Sequence, residues 1–212
     1  MSQCTAEQKE KNRNTHRKAT VIGLTGGIAC GKSTISRYLQ EKGIPVIDGD
    51  VVARQIVEPD TVGLQRIVDT FGKEFLQNDG TLNRGMLGAL VFADHEALDQ
   101  LNGITKPLLL ESFQKQIEEL QHHSVIVLDV ALLLEDEAYR NLVDTVWLVT
   151  VTPEQQLERL MLRNGYSEAE ARNRIASQMS DEARRQYADI IIDNNGTKEE
   201  TIRQVEHLLT NM

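Results

Sequence analysis

The residues with the clearest chemical potential form a glycine-rich octet at 26–33, Gly-Gly-Ile-Ala-Cys-Gly-Lys-Ser. It matches in full the spacing G-x-x-x-x-G-K-[ST] of loops that bind nucleoside triphosphates. The glycines let the main chain wrap around an oxyanion, and the N–H groups that begin the next helix favour negative charge. Lys32 is expected to reach the β- and γ-phosphates, and Ser33 to offer its hydroxyl to Mg²⁺. The predicted ATP contacts here are Gly26, Gly27, Ile28, Ala29, Cys30, Gly31, Lys32, Ser33 and Thr34.

A pair of carboxylates, Asp48 and Asp50, follows the second apolar segment of the chain. In an open α/β sheet ligands bind beyond the carboxyl ends of the strands, so this pair and the octet should face one crevice. A carboxylate there can accept a proton from an acceptor hydroxyl. We favour Asp50, because it opens a helix predicted from Val51 to Val57 that presents Arg54 one turn on. The alternative is that either aspartate simply caps that helix.

A third carboxylate, Asp129, ends the third apolar segment, where phosphate-loop enzymes place an acid that holds Mg²⁺-bound water. Its alternative role is a bond to nearby backbone. Arg159 and Arg163 lie on one predicted helix face, with no acid three or four residues away. Two such guanidiniums are suited to clamping ATP phosphates. The predicted i,i+4 surface ion pairs are Glu168–Arg172 and Glu170–Arg174.

Short apolar segments alternate with helical patterns along the chain, which predicts a parallel sheet covered by helices. A helix is expected from Lys32 to Lys42, and three later helices begin at capping signals. These signals are Thr152 with Pro153 and Gln155, Ser167 with Glu170, and Thr197 with Glu200. The predicted strands are 20–25, 44–47, 125–128, 145–151 and 190–192.

Two connections are too long for simple crossovers, which need about a dozen residues. Residues 48–122 contain several separate helical patterns and should form a helical subdomain. Residues 152–187 are charged and helical and should form a mobile lid. The expected nucleotide-binding core is 19–47, 123–151 and 188–212, preceded by a disordered basic extension at 1–18.

Composition sets the broad class of this 212-residue chain. Apolar residues make up 40% and charged residues 26%, an ordinary globular mixture. The net charge of the whole chain is −9. Residues 1–18 carry five Lys and Arg against two Glu, a net of +3, so the rest of the chain has a net charge of −12. An acidic body argues against nucleic-acid partners. No apolar run is long enough to cross a bilayer, and the two cysteines fit a reducing cytoplasm. We expect a monomer, with an oligomer left open.

The octet by itself does not specify what happens to the γ-phosphate. A guanine-reading Asn-Lys-x-Asp motif and a Leu-Ser-Gly-Gly signature are both absent from the sequence. A small-molecule kinase needs an acceptor pocket and a lid, and the two long connections are candidates for both. A kinase for another nucleotide or nucleoside stays open, and so does a nucleotide-binding module without turnover.

Residues 24–34 and 46–54 together resemble the dephospho-coenzyme A kinase family. The Asp-x-Asp-x-x-x-Arg piece at 48–54 and the Leu-Leu-x-Glu piece at 132–135 are more specific than the octet. The resemblance covers about residues 20–210. It continues through the segments 79–84, 128–135, 174–178 and 192–196.

The resemblance implies a phosphate-loop kinase with a five-stranded parallel sheet, a helical acceptor insertion and a helical lid. It implies transfer of the γ-phosphoryl group of ATP, with Mg²⁺, to the ribose 3′-hydroxyl of dephospho-CoA, the last step of coenzyme A synthesis. Asp50 then becomes the general base and Arg54 an acceptor contact. Lys32 and Arg163 assist catalysis, and Asn195 becomes an ATP contact.

The sequence departs from the family pattern at two positions. Lys106 stands where the family often has His, and Ala131 where it often has Pro. Both are expected on the acceptor side, so the detailed role of Lys106 is open.

Overall fold

Five short apolar segments form one parallel sheet in the structure, a computed structural model that describes residues 18–212. The predicted extension at 1–18 lies outside the described residues, apart from Lys18. The strand order is β2-β3-β1-β4-β5, and every pairing is parallel. The strands are β1 Thr20–Gly26, β2 Val46–Asp48, β3 Val125–Asp129, β4 Thr145–Thr150 and β5 Ile190–Asp193. The prediction of five parallel strands is confirmed.

Helices cover both faces of this sheet, as strand–helix alternation requires. A single 3₁₀ turn, Lys73–Phe75, interrupts the helical insertion. The helices are α1 Lys32–Glu41, α2 Gly49–Gln55, α3 Val62–Phe71, α4 Arg84–Ala93, α5 His95–Glu119, α6 Glu137–Arg140, α7 Pro153–Asn164, α8 Glu168–Ala176, α9 Asp181–Arg185 and α10 Lys198–Thr210. Within the described chain, no helix is both long enough and apolar enough to span a bilayer.

The core is divided by the sheet, because successive strand residues point to opposite faces. Val21 of β1 packs with Phe113 of α5 on one face, whereas Ile22 packs with Ile35 of α1 on the other. A third apolar cluster lies inside the helical insertion, around Ile67. The insertion therefore has apolar packing of its own beside the sheet.

Three details of the predicted elements are wrong. The separate helical patterns near 98–101 and 109–120 belong to one continuous helix, α5, which accommodates Pro107 in its interior. The helix expected from Val51 begins at Gly49, because the Asp48 carboxylate caps it. The proposed capping-box partner Gln155 instead donates its side-chain amide to the carbonyl of Asn195, 3.1 Å away. The capping boxes at 167–170 and 197–200 are both present.

Candidate active site

The predicted phosphate loop, residues 26–33, lies between the carboxyl end of β1 and the start of α1. Gly31 has φ +92° and Ala29 φ +61°, so the loop uses left-handed conformations that let consecutive N–H groups turn inward. No side chain among the described residues caps α1 at Gly31. The first N–H groups of α1 are therefore available to an anion, which the helix dipole also favours.

This loop forms one wall of a cavity of about 460 Å³. Asp50 lines the same cavity, and so do Arg159 and Arg163 of the predicted lid, residues 152–187. The structure thus brings together the loop, the proposed base and both arginines of this segment. Four predicted site residues are not part of the lining: Thr34, Arg54, Asp129 and Asn195.

Asp129 lies directly behind the loop and is 6% exposed. One of its carboxylate oxygens pairs with the Lys32 ammonium, and the other accepts a hydrogen bond from the hydroxyl of Ser36. Asp129 therefore bonds side chains rather than nearby backbone. Ser36 was missed in the sequence, although it lies one helical turn after Lys32 and so shares its face.

Asp48 and Asp50, the two aspartates at the start of α2, have different roles. The Asp48 side chain accepts hydrogen bonds from the N–H groups of Asp50 and Val51, at 2.8 and 3.2 Å. Asp48 is therefore the helix cap. The carboxylate of Asp50 has no hydrogen-bond partner among the described side chains and backbone groups, is exposed and lines the cavity. That leaves the Asp50 carboxylate able to reach a ligand.

The lid arginines differ in how firmly they are held. Arg159 donates to the side-chain oxygen of Gln155 at 3.1 Å and to the carbonyl of Asn194 at 2.9 Å. Arg163 is exposed and donates only to Asn164 among the described residues. Arg159 is thus positioned by the protein, whereas Arg163 is free to follow a ligand.

Of the two ion pairs predicted on α8, only one forms. Arg172 contacts Glu168 at 2.7 Å. Glu170 is instead used by the capping box of Ser167, and Arg174 lies over the ring of Tyr166, 4.4 Å from its centroid. The hydrogen bonds from Ser167 lower the pKa of Glu170, so this carboxylate is committed to the cap.

Two glutamines that were not predicted as site residues, Gln156 and Gln178, hold the loop at Ile28, although Gln178 ends the family-like segment 174–178. The side-chain oxygen of Gln178 accepts from the Ile28 N–H at 2.8 Å. The side-chain amide of Gln156 donates to the Ile28 carbonyl at 2.9 Å. Both the backbone N–H and the backbone C=O of Ile28 are therefore hydrogen-bonded by side chains of residues 152–187. No composition or periodicity signal could have revealed this pairing, because the partners are more than 100 residues apart.

The turn after β5 holds the loop through Asn194 rather than Asn195. The buried amide of Asn194 donates to the Cys30 carbonyl at 2.7 Å, and its oxygen accepts from Thr201 at 2.7 Å. Asn195 accepts from the backbone N–H of Thr152 at 2.7 Å and also bonds Asp193. Asn195 thus links β5 to the start of the lid.

Cys30 supports the loop only through packing and its main chain. Burial raises the pKa of its thiol, although the nearby Lys32 and Arg184 oppose the shift. The thiol is therefore neutral near pH 7, unlike a nucleophilic cysteine.

The helical insertion carries a second, smaller cavity of about 170 Å³. Its wall includes Ala53, one turn beyond Asp50 on α2, together with apolar side chains and Arg84. The Arg84 guanidinium donates to the Arg54 carbonyl at 3.2 Å, so both arginines lie at one end of α2. Lys106 is directed elsewhere, to a 3.1 Å ion pair with Asp136.

A five-stranded parallel sheet, a phosphate loop after its central strand and a carboxylate in the same cavity define a phosphate-loop kinase. A family model described as dephospho-CoA kinase matches residues 20–200. A dephospho-CoA kinase from Shouchella clausii is 50% identical over 186 residues, covering 87% of this chain and 94% of that protein. Another from Carboxydothermus hydrogenoformans is 48% identical over 191 residues, covering 89% and 92%. The chain belongs to the dephospho-CoA kinase family.

Solved structures agree with this assignment. A dephospho-CoA kinase from Campylobacter jejuni superposes with a TM-score of 0.70 at 28% identity, covering 91% of this chain and 98% of that one. The Thermus thermophilus protein TT1252 gives 0.78 at 29% identity, covering 92% and 99%. A shikimate kinase from Bacteroides thetaiotaomicron, 18% identical with a TM-score of 0.51 and coverage of 90% and 98%, shares the fold.

Proposed function

We propose that this protein transfers the γ-phosphoryl group of ATP to the ribose 3′-hydroxyl of dephospho-CoA, giving coenzyme A and ADP. The observation that carries the proposal is that the phosphate loop and Asp50 line one cavity. The 3′-oxygen attacks the γ-phosphorus, its proton passes to Asp50, and the bond to the β-phosphate oxygen breaks to release ADP. Catalysis then comes from positioning and electrostatic stabilisation.

The positive groups around the cavity are suited to the charge of this transfer. The Lys32 ammonium would contact the β- and γ-phosphates, and Asp129, itself held by the Ser36 hydroxyl, would position that ammonium. Arg159 and Arg163 would contact the phosphate chain from the lid, residues 152–187. Because Arg163 is exposed, we propose that it reaches the transferring group when the lid closes.

The oxygen donors at the loop fit Mg²⁺ as the accompanying ion. Ser33 presents a hydroxyl to the cavity, and Mg²⁺ is usually held by one or two protein groups, substrate phosphates and water. Both oxygens of Asp129 are engaged, so Asp129 would act on a metal-bound water rather than on the ion itself. When bound, Mg²⁺ would neutralise charge developing on the phosphates.

We assign the acceptor to the helical insertion, residues 48–122. Dephospho-CoA carries a diphosphate next to an apolar gem-dimethyl group on its pantetheine arm. Arg54 and Arg84 lie together at the end of α2, and the 170 Å³ cavity adjoins them with walls formed by Ile67, Leu87 and neighbouring side chains. The arginines would bind the diphosphate and the cavity would take the apolar arm.

The remaining proposals concern the state of the protein. We propose a monomer whose nucleotide-binding core is 19–47, 123–151 and 188–212. We propose that it works in the cytoplasm without a nucleic-acid or membrane partner. The free, buried thiol of Cys30 suits a reducing compartment.

An acceptor panel tests the proposed function. The protein is incubated with Mg-ATP and dephospho-CoA, nucleosides, or nucleoside monophosphates, and ADP and product are quantified by chromatography and mass spectrometry. We expect turnover with dephospho-CoA and a product phosphorylated at the 3′-oxygen. Faster turnover of a nucleoside or nucleotide would favour the alternative kinase, and ATP binding without ADP formation would indicate a non-catalytic module.

A further inference from the structure

One cation beside the phosphate loop is buried and has no part in the mechanism above. Arg184, on α9, is 5% exposed. Among the described residues, no carboxylate lies within ion-pair distance of its guanidinium. The one hydrogen bond of its side chain to the described part of the chain runs from Nη2 to the side-chain oxygen of Gln178, at 3.4 Å.

Such a side chain is costly to keep unless an anion joins it. Arginine stays protonated in proteins and has five N–H donors, of which Arg184 uses one in a long bond. Burial of an uncompensated charge is unfavourable, which is why buried arginines are normally paired. The other buried charged residue of the described chain, Asp129, is paired with Lys32. No carboxylate of the described chain balances the charge of Arg184, so its guanidinium is available to an anionic partner from outside the protein.

The position of the guanidinium identifies where that partner lies. A Cβ added to Gly27 would be 2.9 Å from Arg184 Nη1 and 2.7 Å from Gln156 Nε2. Gly27 is not among the residues with positive φ, so backbone conformation does not demand glycine there. The loop motif accepts any residue at this position. The Arg184 guanidinium therefore lies directly against the phosphate loop at Gly27, beside the side-chain amide of Gln156.

We propose that Arg184 is a phosphate-binding residue whose guanidinium contacts the phosphate chain of ATP in the loop. Gln178 links Arg184 to the phosphate loop, because its side-chain oxygen accepts hydrogen bonds from both Arg184 and the Ile28 N–H. Gln178 also lines the cavity. Arg184 is held in place by burial, whereas Arg163 is exposed and must be recruited. The inference rests on the proposed function only in taking ATP as the donor.

The test compares Arg184→Gln with the neighbouring control Arg185→Gln, whose guanidinium is about half exposed and pairs with Asp181. Mg-ATP binding is measured by calorimetry without acceptor, so the result does not depend on which acceptor is used. We expect Arg184→Gln to weaken Mg-ATP binding about tenfold or more, since hydrogen bonds between charged groups are strong. The thermal midpoint of the ligand-free protein should stay unchanged or rise, because an unpaired buried charge is removed. The control should leave both values unchanged.

If Arg184 had only a structural role, Arg184→Gln would lower the thermal midpoint of the ligand-free protein and leave the Mg-ATP affinity unchanged. Arg184→Gln with wild-type Mg-ATP affinity would overturn the proposal, whether or not its thermal midpoint falls. If that variant does not fold, Arg184→Lys keeps the charge but loses the planar fork, and should weaken Mg-ATP binding about threefold or more. Wild-type affinity in Arg184→Lys would refute the proposed contact through the guanidinium fork. A failure of dephospho-CoA turnover in the wild-type protein would instead count against the acceptor assignment and leave this test intact.

Discussion

Replacing Asp50 by Asn removes the proposed base with little other change to the protein. Its carboxylate has no hydrogen-bond partner among the described residues, and the cap of α2 is made by Asp48. The folded protein should lose only a favourable charge near the start of α2, worth about 0.3–1 kcal/mol. Any large effect on the reaction therefore reports chemistry rather than unfolding.

We expect the rate of phosphoryl transfer in Asp50→Asn to fall about 10²-fold or more, the usual contribution of a general base. That is about 2.7 kcal/mol of transition-state stabilisation. Mg-ATP affinity should change by less than about threefold, because Asp50 lines the cavity but is not part of the phosphate loop. Single-turnover kinetics with dephospho-CoA measures this step even if product release limits steady-state turnover.

Asp48→Asn is the matched control for this experiment. It removes the same charge two residues earlier, and Asn retains the oxygen that caps α2. We expect its single-turnover rate to stay within about threefold of wild type, because capping and not chemistry is its role. A rate for Asp50→Asn close to wild type, or equal losses in both variants, would remove Asp50 from the role of base.

Three further perturbations test other parts of the site. Gly88→Leu places a side chain in the small cavity, where it would exclude the apolar arm of the acceptor. It should raise KM for dephospho-CoA about tenfold or more, since burying an apolar group is worth about 1.5–3 kcal/mol. Gly85→Leu, on the exposed side of the same helix, should leave KM unchanged, and equal KM values for the two variants would refute the acceptor assignment. Asp129→Asn leaves the lysine of the loop without its counter-charge and should lower the free energy of unfolding by about 1–3 kcal/mol in urea titrations; an unchanged midpoint would show that the pair is not stabilising. A hydrogen bond from the Ala138 N–H and, to a smaller extent, one from Lys106 hold the pKa of Asp136 below its ordinary value of 3.8. The contribution of Asp136 to the free energy of unfolding is therefore present above that pH and is lost as the pH falls through the folded-state pKa. Asp136→Asn should therefore flatten the acid limb of unfolding free energy against pH, and an identical limb would contradict this.

The sequence was sufficient to predict features whose interacting residues are close together along the chain. The phosphate loop could be predicted because residues 26–33 must have particular types at consecutive positions to enclose an anion. The five strands could be predicted because buried parallel strands are continuous apolar runs. The capping boxes at 167–170 and 197–200 formed as expected, since each is completed within four residues.

Predictions failed, or left alternatives open, where one residue had several possible partners. The sequence offers Glu170 to both Ser167 and Arg174, and the structure shows that the cap takes it. It likewise offers two aspartates at the start of α2, and only the backbone path shows that Asp48 caps the helix while Asp50 lies in the cavity. Competition between short-range partners is decided by geometry that periodicity does not contain.

The sequence by itself determined the fold class and the family of this protein, and it selected the candidate reactive residues. Tertiary structure alone decided what surrounds them: the Gln156–Ile28–Gln178 bracket, the link from Asn194 to the loop, and the position of Arg184 over Gly27. The physical reason is distance along the chain. A motif such as the phosphate loop is formed by residues that are consecutive in sequence. Burial and the additional hydrogen-bond partners of these residues arise only when segments far apart in sequence pack together.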